Sequence, residues 1–183
     1  MEELGFIHGR FQLFHNDHLQ YALLAKAQCK KLIVGITSPE NALLIREEVD
    51  PHRSNAADNP FSFYERFCMV KLALLEAGIK REDFEIVPYP IERPEILTNY
   101  IPLNATSFFT IYDKWGYEKL HRLGSLGYKT IVLFDNREKQ MCSTDIRHKI
   151  VDGENWKQMV PEAVYNYIIE NDLTRKVKLA LSR

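Results

Sequence analysis

Short β-rich runs alternate with helix-period segments along almost the whole chain, and no other feature restricts its fold as strongly. Residues 4–8 (Leu-Gly-Phe-Ile-His) form an apolar run closed by Gly9. From Asp17 onward, Leu19, Leu23, Leu24 and Ala27 recur at helical spacing, and residues 31–36 form a second β-rich run. Pro60 is suited to a first helical turn, and Ser62 with Glu65 has the S-x-x-E spacing that caps two orphan backbone N–H groups, which predicts a helix to Ala77 ended by Gly78. Runs at 84–87, 108–112 and 130–134 read as strands three to five, with helical patterns near 96–100 and 114–126 between them. A helix opened by Ser143-Thr144-Asp145 and a last one near 161–170, carrying Val164, Tyr167 and Ile168, complete the chain. Strands this short and this apolar bury both faces, so the alternation predicts an α/β fold: a mainly parallel sheet with right-handed crossovers and helices on both faces. Such sheets bind ligands at the carboxyl ends of their strands.

At 183 residues the chain is sized for one domain, spanning 1–183, with a long loop at 37–59 and C-terminal helices from about 144. Eight Gly and eight Pro are too few for a fibrous or low-complexity chain. The 24 Lys and Arg are matched by 25 Asp and Glu, so there is no broad cationic field of the kind that holds nucleic acid or a membrane surface, and any anion must be held locally. No apolar run approaches the roughly 18 residues of a membrane span, and Met1-Glu2-Glu3 is acidic where a signal peptide is basic, so a cytoplasmic protein without membrane partners is expected. Cys29, Cys68 and Cys142 are isolated and odd in number, which argues against a disulfide framework and a zinc site; they are expected to be small buried hydrophobes. The loop at 37–59 carries Pro39, Pro51, Asn55 and Asp58 without sustained period and is a candidate lid. His8, His52, His121 and His148 are expected to be structural or surface residues, and the mildly basic tail at 175–183 to be exposed.

Two segments carry chemistry. Gly9-Arg10-Phe11-Gln12-Leu13-Phe14-His15-Asn16-Asp17-His18 lies between the first strand and the first helix, where unpaired N–H groups and the positive end of the helix dipole form an anion site. The i, i+3 spacing of His15 and His18 puts both imidazoles on one side of the first turn, within reach of one polyphosphate. Met141-Cys142-Ser143-Thr144-Asp145-Ile146-Arg147 opens a late helix with two hydroxyls, first-turn N–H groups and an arginine one turn on. A lone histidine there would be read as a helix cap, but the pair favours a phosphate site, whereas the second segment alone is better explained as a plain N-cap with an exposed arginine. Two of them in one α/β chain favour a phosphate clamp.

Together the G-R-F-Q-x-x-H-x-x-H and S-T-x-x-R elements resemble those of the nucleotidylyltransferase superfamily, and within it most resemble archaeal-type nicotinamide-nucleotide adenylyltransferases. The likeness extends over Gly35-Ile36-Thr37-Ser38, Asn59-Pro60-Phe61 with Glu65-Arg66, Val87-Pro88-Tyr89-Pro90, and Asp152-Gly153-Glu154-Asn155-Trp156 followed by Val160-Pro161. This resemblance implies a Rossmann-like, doubly wound parallel sheet of order 3-2-1-4-5. It also implies transfer of AMP from ATP to nicotinamide or nicotinate mononucleotide, releasing pyrophosphate, with Mg²⁺ held by the nucleotide rather than by protein ligands. His15, His18 and Arg147 would be catalytic, and Gly9, Arg10, Phe11, Arg46, Ser143 and Thr144 would line the nucleotide. Relatives of this kind often self-associate, so a homo-oligomer is a further expectation.

The chain departs from that pattern in places. Asp17 replaces a glycine between the two histidines, where a carboxylate beside a polyphosphate would cost on the order of 1–4 kcal/mol at 4 Å. Leu13 stands in place of a proline. No Trp occurs at 94–100, where the family stacks a pyridine ring, and Tyr100 is the nearest aromatic. The turn at 112–117 is unlike the family's and offers Trp115 and Tyr117 as base-stacking candidates. Two alternatives follow: the same reaction with CTP or ATP and another small phosphorylated acceptor, or a catalytically silent nucleotide-binding relative. The missing K-M-S-K-S and G-x-x-x-x-G-K-[ST] elements argue against an aminoacyl-tRNA synthetase core and a P-loop NTPase.

Overall fold

The computed structural model describes residues 1–38, 58–111, 114–135 and 141–182. Strand β1 (Glu2–Gly9) is longer than its apolar run because Glu2 also pairs with Cys29, and its carboxylate accepts from Thr106 Oγ1 (2.7 Å) and Lys129 Nζ (2.6 Å). Helix α1 (Asn16–Lys26) leads to β2 (Cys29–Thr37), then α2 (Phe63–Glu76) to β3 (Phe84–Tyr89). Next come β4 (Thr106–Ile111), α3 (Lys114–Ser125) and β5 (Thr130–Asp135), followed by helices α4 (Ser143–Asp152), α5 (Glu162–Glu170) and α6 (Leu173–Leu181). The five strands are all parallel in the order β3-β2-β1-β4-β5, the Rossmann-like arrangement implied by the resemblance.

Neighbouring residues of each central strand enter opposite cores. Ile7, Leu32, Val34 and Phe108 pack on the face carrying α1, α2 and the C-terminal helices, while Phe6, Ile33 and Phe109 pack on the other with Tyr89, Leu123 and Tyr128. Burying both faces at roughly 25 cal/mol per Å² makes the sheet the main source of stability. Pro88 is tolerated in β3 because that strand is at the edge of the sheet. Gly35 lets the Tyr89 ring lie across β2; a Cβ there would sit 2.8 Å from Tyr89 Cδ2. Tyr89 thereby stacks on His8, with centroids 4.5 Å apart and planes within 6°.

Several sequence expectations are corrected. On α1 the buried residues are Ala22 and Ala25, whereas Leu23 is exposed: small residues let the helix approach the sheet, and Tyr21 reaches over to donate to the Phe108 carbonyl. Residues Pro94–Asn99 form a 3₁₀ helix with Pro at its start. Thr37 ends β2 rather than beginning a loop, and residues 39–57, including Arg46, lie outside the described residues. Ser62 and Glu65 form the expected capping box, which places Pro60 before the helix. Cys29 and Cys68 are buried as expected, but Cys142 is exposed. The tail at 175–183 is not simply exposed, since α6 buries Leu173 and Val177 in the core. No described helix is long and apolar enough to cross a membrane.

Candidate functional site

Helix α1 begins beyond the carboxyl end of β1, beside the β1/β4 boundary where successive crossovers leave in opposite directions. Ligands of doubly wound sheets sit at this point. Between β1 and α1 the chain makes a tight cradle. Gly9 leaves room for the Phe11 ring, which a Cβ would approach to 2.6 Å, and Phe11 itself is left-handed at φ 52°. Hydrogen bonds to distant elements hold this backbone. Gln12 Oε1 accepts from the Phe61 N–H (2.9 Å) while Nε2 donates to the Phe61 carbonyl (3.0 Å), and Asn16 Nδ2 donates to the Gln158 carbonyl (2.9 Å).

His15 is the N-cap residue of α1 and is buried. Its ring stacks on that of His18, with centroids 3.6 Å apart, as the i, i+3 spacing predicts. Burial depresses the His15 pKa to about 4 against a weaker opposing pull from Asp17, so the ring is neutral at pH 7. Its Nδ1 has no hydrogen-bond partner among the described residues. The His15 backbone N–H points at His18 Nδ1 (3.4 Å); with Nδ1 as acceptor, a neutral His18 carries its proton on Nε2, which makes that nitrogen a donor. The Phe11 ring packs nearly perpendicular to the His18 imidazole, with centroids 5.0 Å apart, and restricts its orientation.

The second segment meets this cradle at the start of α4. Ser143 Oγ donates to the Leu13 carbonyl (3.1 Å), and the Met141 N–H donates to Asp17 Oδ2 (3.0 Å). Asp17 is therefore a staple between the two helix N-termini, a role that accounts for a carboxylate where the family pattern has glycine. Arg147 is buried and its fork is engaged: Nη1 donates to the Gln12 carbonyl (2.5 Å), and Nη2 to Asp58 Oδ1 (2.6 Å) and Thr144 Oγ1 (3.1 Å). Burial lowers its pKa, partly offset by Asp58. Hence Ser143 and Arg147 meet the first segment at Gln12 and Leu13, with Thr144 bonded to Arg147 beside them.

Charge at the site is positive. Burial lowers the pKa of Arg147 and Arg66, and the nearby Arg10 lowers both further, so three guanidinium groups share one neighbourhood with Asp58 bonded to one of them. Two helix N-termini add to the same field. No cluster of three His, Cys, Asp or Glu residues that could hold a metal occurs among the described residues, and Asp17 and Asp58 are each tied to a protein donor.

Three residues of this network had no assigned role in the sequence reading. Gln12 and Asp58 act as struts, and Arg66 binds backbone only; a buried arginine or glutamine is not distinguishable from an exposed one by spacing. Beyond β3, Ser38 Oγ donates to Glu92 (2.9 Å), and an open cleft of about 700 Å³ lies between Glu92 and Pro94 on one side and Glu118 and Arg122 of α3 on the other. Tyr117, a base-stacking candidate, is in the first turn of α3 and 45% exposed.

A family model described as cytidylyltransferase-like matches residues 6–149. Among curated proteins, the chain is 40% identical over 174 residues to a phosphonoformate cytidylyltransferase of Streptomyces viridochromogenes, covering 95% of each chain. It is 29% identical over 181 residues to a nicotinamide-nucleotide adenylyltransferase of Thermococcus onnurineus, covering 98% of this chain and 89% of that one. Among solved structures, it is similar to a bifunctional NMN adenylyltransferase/ADP ribose pyrophosphatase from Francisella tularensis, with a TM-score of 0.71 at 21% identity. That match covers 98% of this chain and 53% of the other, about half its length.

Proposed function

The chain belongs to the cytidylyltransferase-like family of nucleotidylyltransferases, and from that premise we propose that it transfers CMP from CTP to a small acid bearing a phosphonate or phosphate, with release of pyrophosphate. The observation that carries this reading is the end-to-end match at 40% identity to a phosphonoformate cytidylyltransferase, against 29% for a nicotinamide-nucleotide adenylyltransferase of similar coverage.

An acceptor oxygen attacks the α-phosphorus of the triphosphate. The bond from that phosphorus to the oxygen bridging to the β-phosphate breaks, and the electron pair leaves with pyrophosphate. The acceptor arrives as an anion, so no side chain has to remove a proton or form a covalent intermediate. What remains for the protein is positioning and charge neutralisation. The N-termini of α1 and α4 would face the polyphosphate, with His18 Nε2 and Arg10 as side-chain donors. A neutral His15 would donate one hydrogen bond and gain a proton more readily once a polyanion is bound. Arg147 would hold the Gln12 carbonyl in place and lend its charge from within. Mg²⁺ would screen the phosphate oxygens, held by those oxygens and water.

A second reading, transfer of AMP from ATP to nicotinamide or nicotinate mononucleotide, is favoured by the near full-length likeness to the Thermococcus protein. It is weakened by the absence of a Trp at 94–100 and by the 38% exposure of Tyr100. Pyrophosphate release with Mg²⁺, crossing CTP and ATP against phosphonoformate, other small phosphonates and the two pyridine mononucleotides, separates the two. Turnover with CTP and a phosphonate, lost in His18→Ala, is the expected result; turnover restricted to ATP with a pyridine mononucleotide overturns the proposal in favour of the second reading.

A further inference from the structure

Arg66, on the first turns of α2, is completely buried and spends its guanidinium on four carbonyls. Nη1 donates to Arg10 O (2.9 Å) and Thr37 O (2.7 Å), Nη2 to Ser38 O (2.8 Å), and Nε to Ser62 O (3.2 Å). No carboxylate hydrogen-bonds it among the described residues: the adjacent Glu65 turns to the Ser62 N–H and to Lys176 instead. Burial and the nearby Arg10 lower its pKa to about 10, which still leaves it charged at neutral pH.

A desolvated cation without a bonded counter-ion is costly and needs a reason. Three of the four carbonyls it gathers follow β1 or lie at the end of β2, and the fourth, Ser62 O, is at the N-cap of its own helix. Arg10 O directly precedes Phe11 at φ 52°, and Ser38 O belongs to a residue at φ 48°. Left-handed non-glycine residues persist only where surrounding contacts over-determine them. Here one side chain bonds the carbonyl at or next to each of them, and it has five donors in a rigid fork that lysine lacks.

We propose that Arg66 is a positioning residue for the triphosphate: it ties the ends of β1 and β2 into one rigid edge of the cradle and sets the backbone from which Arg10 and Phe11 face the phosphates. This rests on the nucleotide reading of the cradle but not on which base or acceptor is used. Its charge adds to the potential of the site from behind, while its geometry fixes the loop.

The test uses magnesium pyrophosphate, the product common to either substrate pair, with wild type, Arg66→Lys and Arg66→Met compared by calorimetric titration and thermal melting. Arg66→Lys keeps the charge and loses the fork, so its Kd for pyrophosphate is expected to rise about tenfold, and Arg66→Met more. In turnover the KM for the triphosphate should rise in parallel, with kcat at saturation within about threefold of wild type. A purely structural role would lower the melting temperature but leave Kd and KM unchanged in the folded population, and that result overturns the proposal. Failure of the wild type to bind pyrophosphate overturns the nucleotide reading and this proposal together. If neither variant folds, the Arg66 guanidinium ¹⁵N–¹H resonances of the wild type decide: they should shift with pyrophosphate along the binding isotherm, and unmoved resonances overturn the proposal.

Discussion

Replacing Arg147 with methionine tests whether the ion pair behind the cradle is a desolvated one. The two side chains are 3% and 12% exposed and lie 2.6 Å apart. Methionine fills a similar volume, so the change is mainly electrical: it takes the Arg147 cation away from the buried Asp58 carboxylate and frees the Gln12 carbonyl. Removing one partner of a buried pair costs about 3–5 kcal/mol, several-fold more than an exposed pair is worth. Asp58→Asn added to Arg147→Met removes the carboxylate charge as well, and the double variant should recover about 1–3 kcal/mol relative to the sum of the single changes. Urea denaturation followed by tryptophan fluorescence reads this directly: with a slope near 2 kcal/mol/M, the Arg147→Met midpoint should fall by roughly 1.5–2.5 M. A loss below about 1 kcal/mol, or additivity within about 0.5 kcal/mol, would refute the argument that the Arg147–Asp58 pair is a desolvated one.

Other outcomes follow from the same geometry. His15 has a folded pKa of about 4 against an ordinary value of 6.5, so stability is full above pH 6.5 and is lost as pH falls through this window, because the unfolded chain takes up a proton that the folded chain refuses. The loss should reach about 3 kcal/mol near pH 4 and vanish in His15→Gln, as measured by denaturation at a series of pH values. Asp17→Asn keeps an acceptor for the Met141 N–H and should stay within about 0.5 kcal/mol of wild type, whereas Asp17→Ala should lose about 1–2 kcal/mol and raise the KM for the triphosphate. Gly35→Ala puts a methyl 2.8 Å from Tyr89 Cδ2 and should cost about 1–3 kcal/mol, visible as a lowered melting temperature. Leu173→Ala should cost about 2–5 kcal/mol if α6 belongs to the core, and near zero if it is a loose tail.

The strands were legible because they are dense in β-branched and aromatic residues and buried on both faces, which leaves apolar runs that no helix of that length would show. Helix α2 was legible down to its cap, since Ser62 and Glu65 satisfy a local hydrogen-bond requirement. What failed were judgements about which face is buried. On α1 the leucines outweigh the alanines in any hydrophobicity count, yet close approach to the sheet selects Ala22 and Ala25. Helix α6 was missed because its charged face, Arg175, Lys176 and Lys178, hides Leu173 and Val177 at helical spacing. At the site, the paired histidines and the Ser143–Arg147 segment were visible as residues near two helix starts. Their partners were not: Gln12 to Phe61, Arg66 to Thr37 and Arg147 to Asp58 are bonds across 49, 29 and 89 positions, set by topology and not by local pattern.

The burial of Arg147 and the neutrality of His15 fit an anion cradle better than exposed cations would. A guanidinium in open solvent is screened and must be ordered when the ligand arrives, whereas one already desolvated and fixed keeps most of its field and reorganises little. That preorganisation has a cost, and the struts offset it: Asp58 neutralises part of one arginine, backbone carbonyls solvate the other, and Asp17 spends its charge on the Met141 N–H. The net positive potential is then delivered through two helix N-termini and Arg10, the partly exposed member of the trio. Recognition built this way reads a polyphosphate by charge and shape and says nothing about the base. Specificity for CTP or ATP must therefore come from outside the cradle, which is compatible with the chain's similarity to a cytidylyltransferase and to an adenylyltransferase alike.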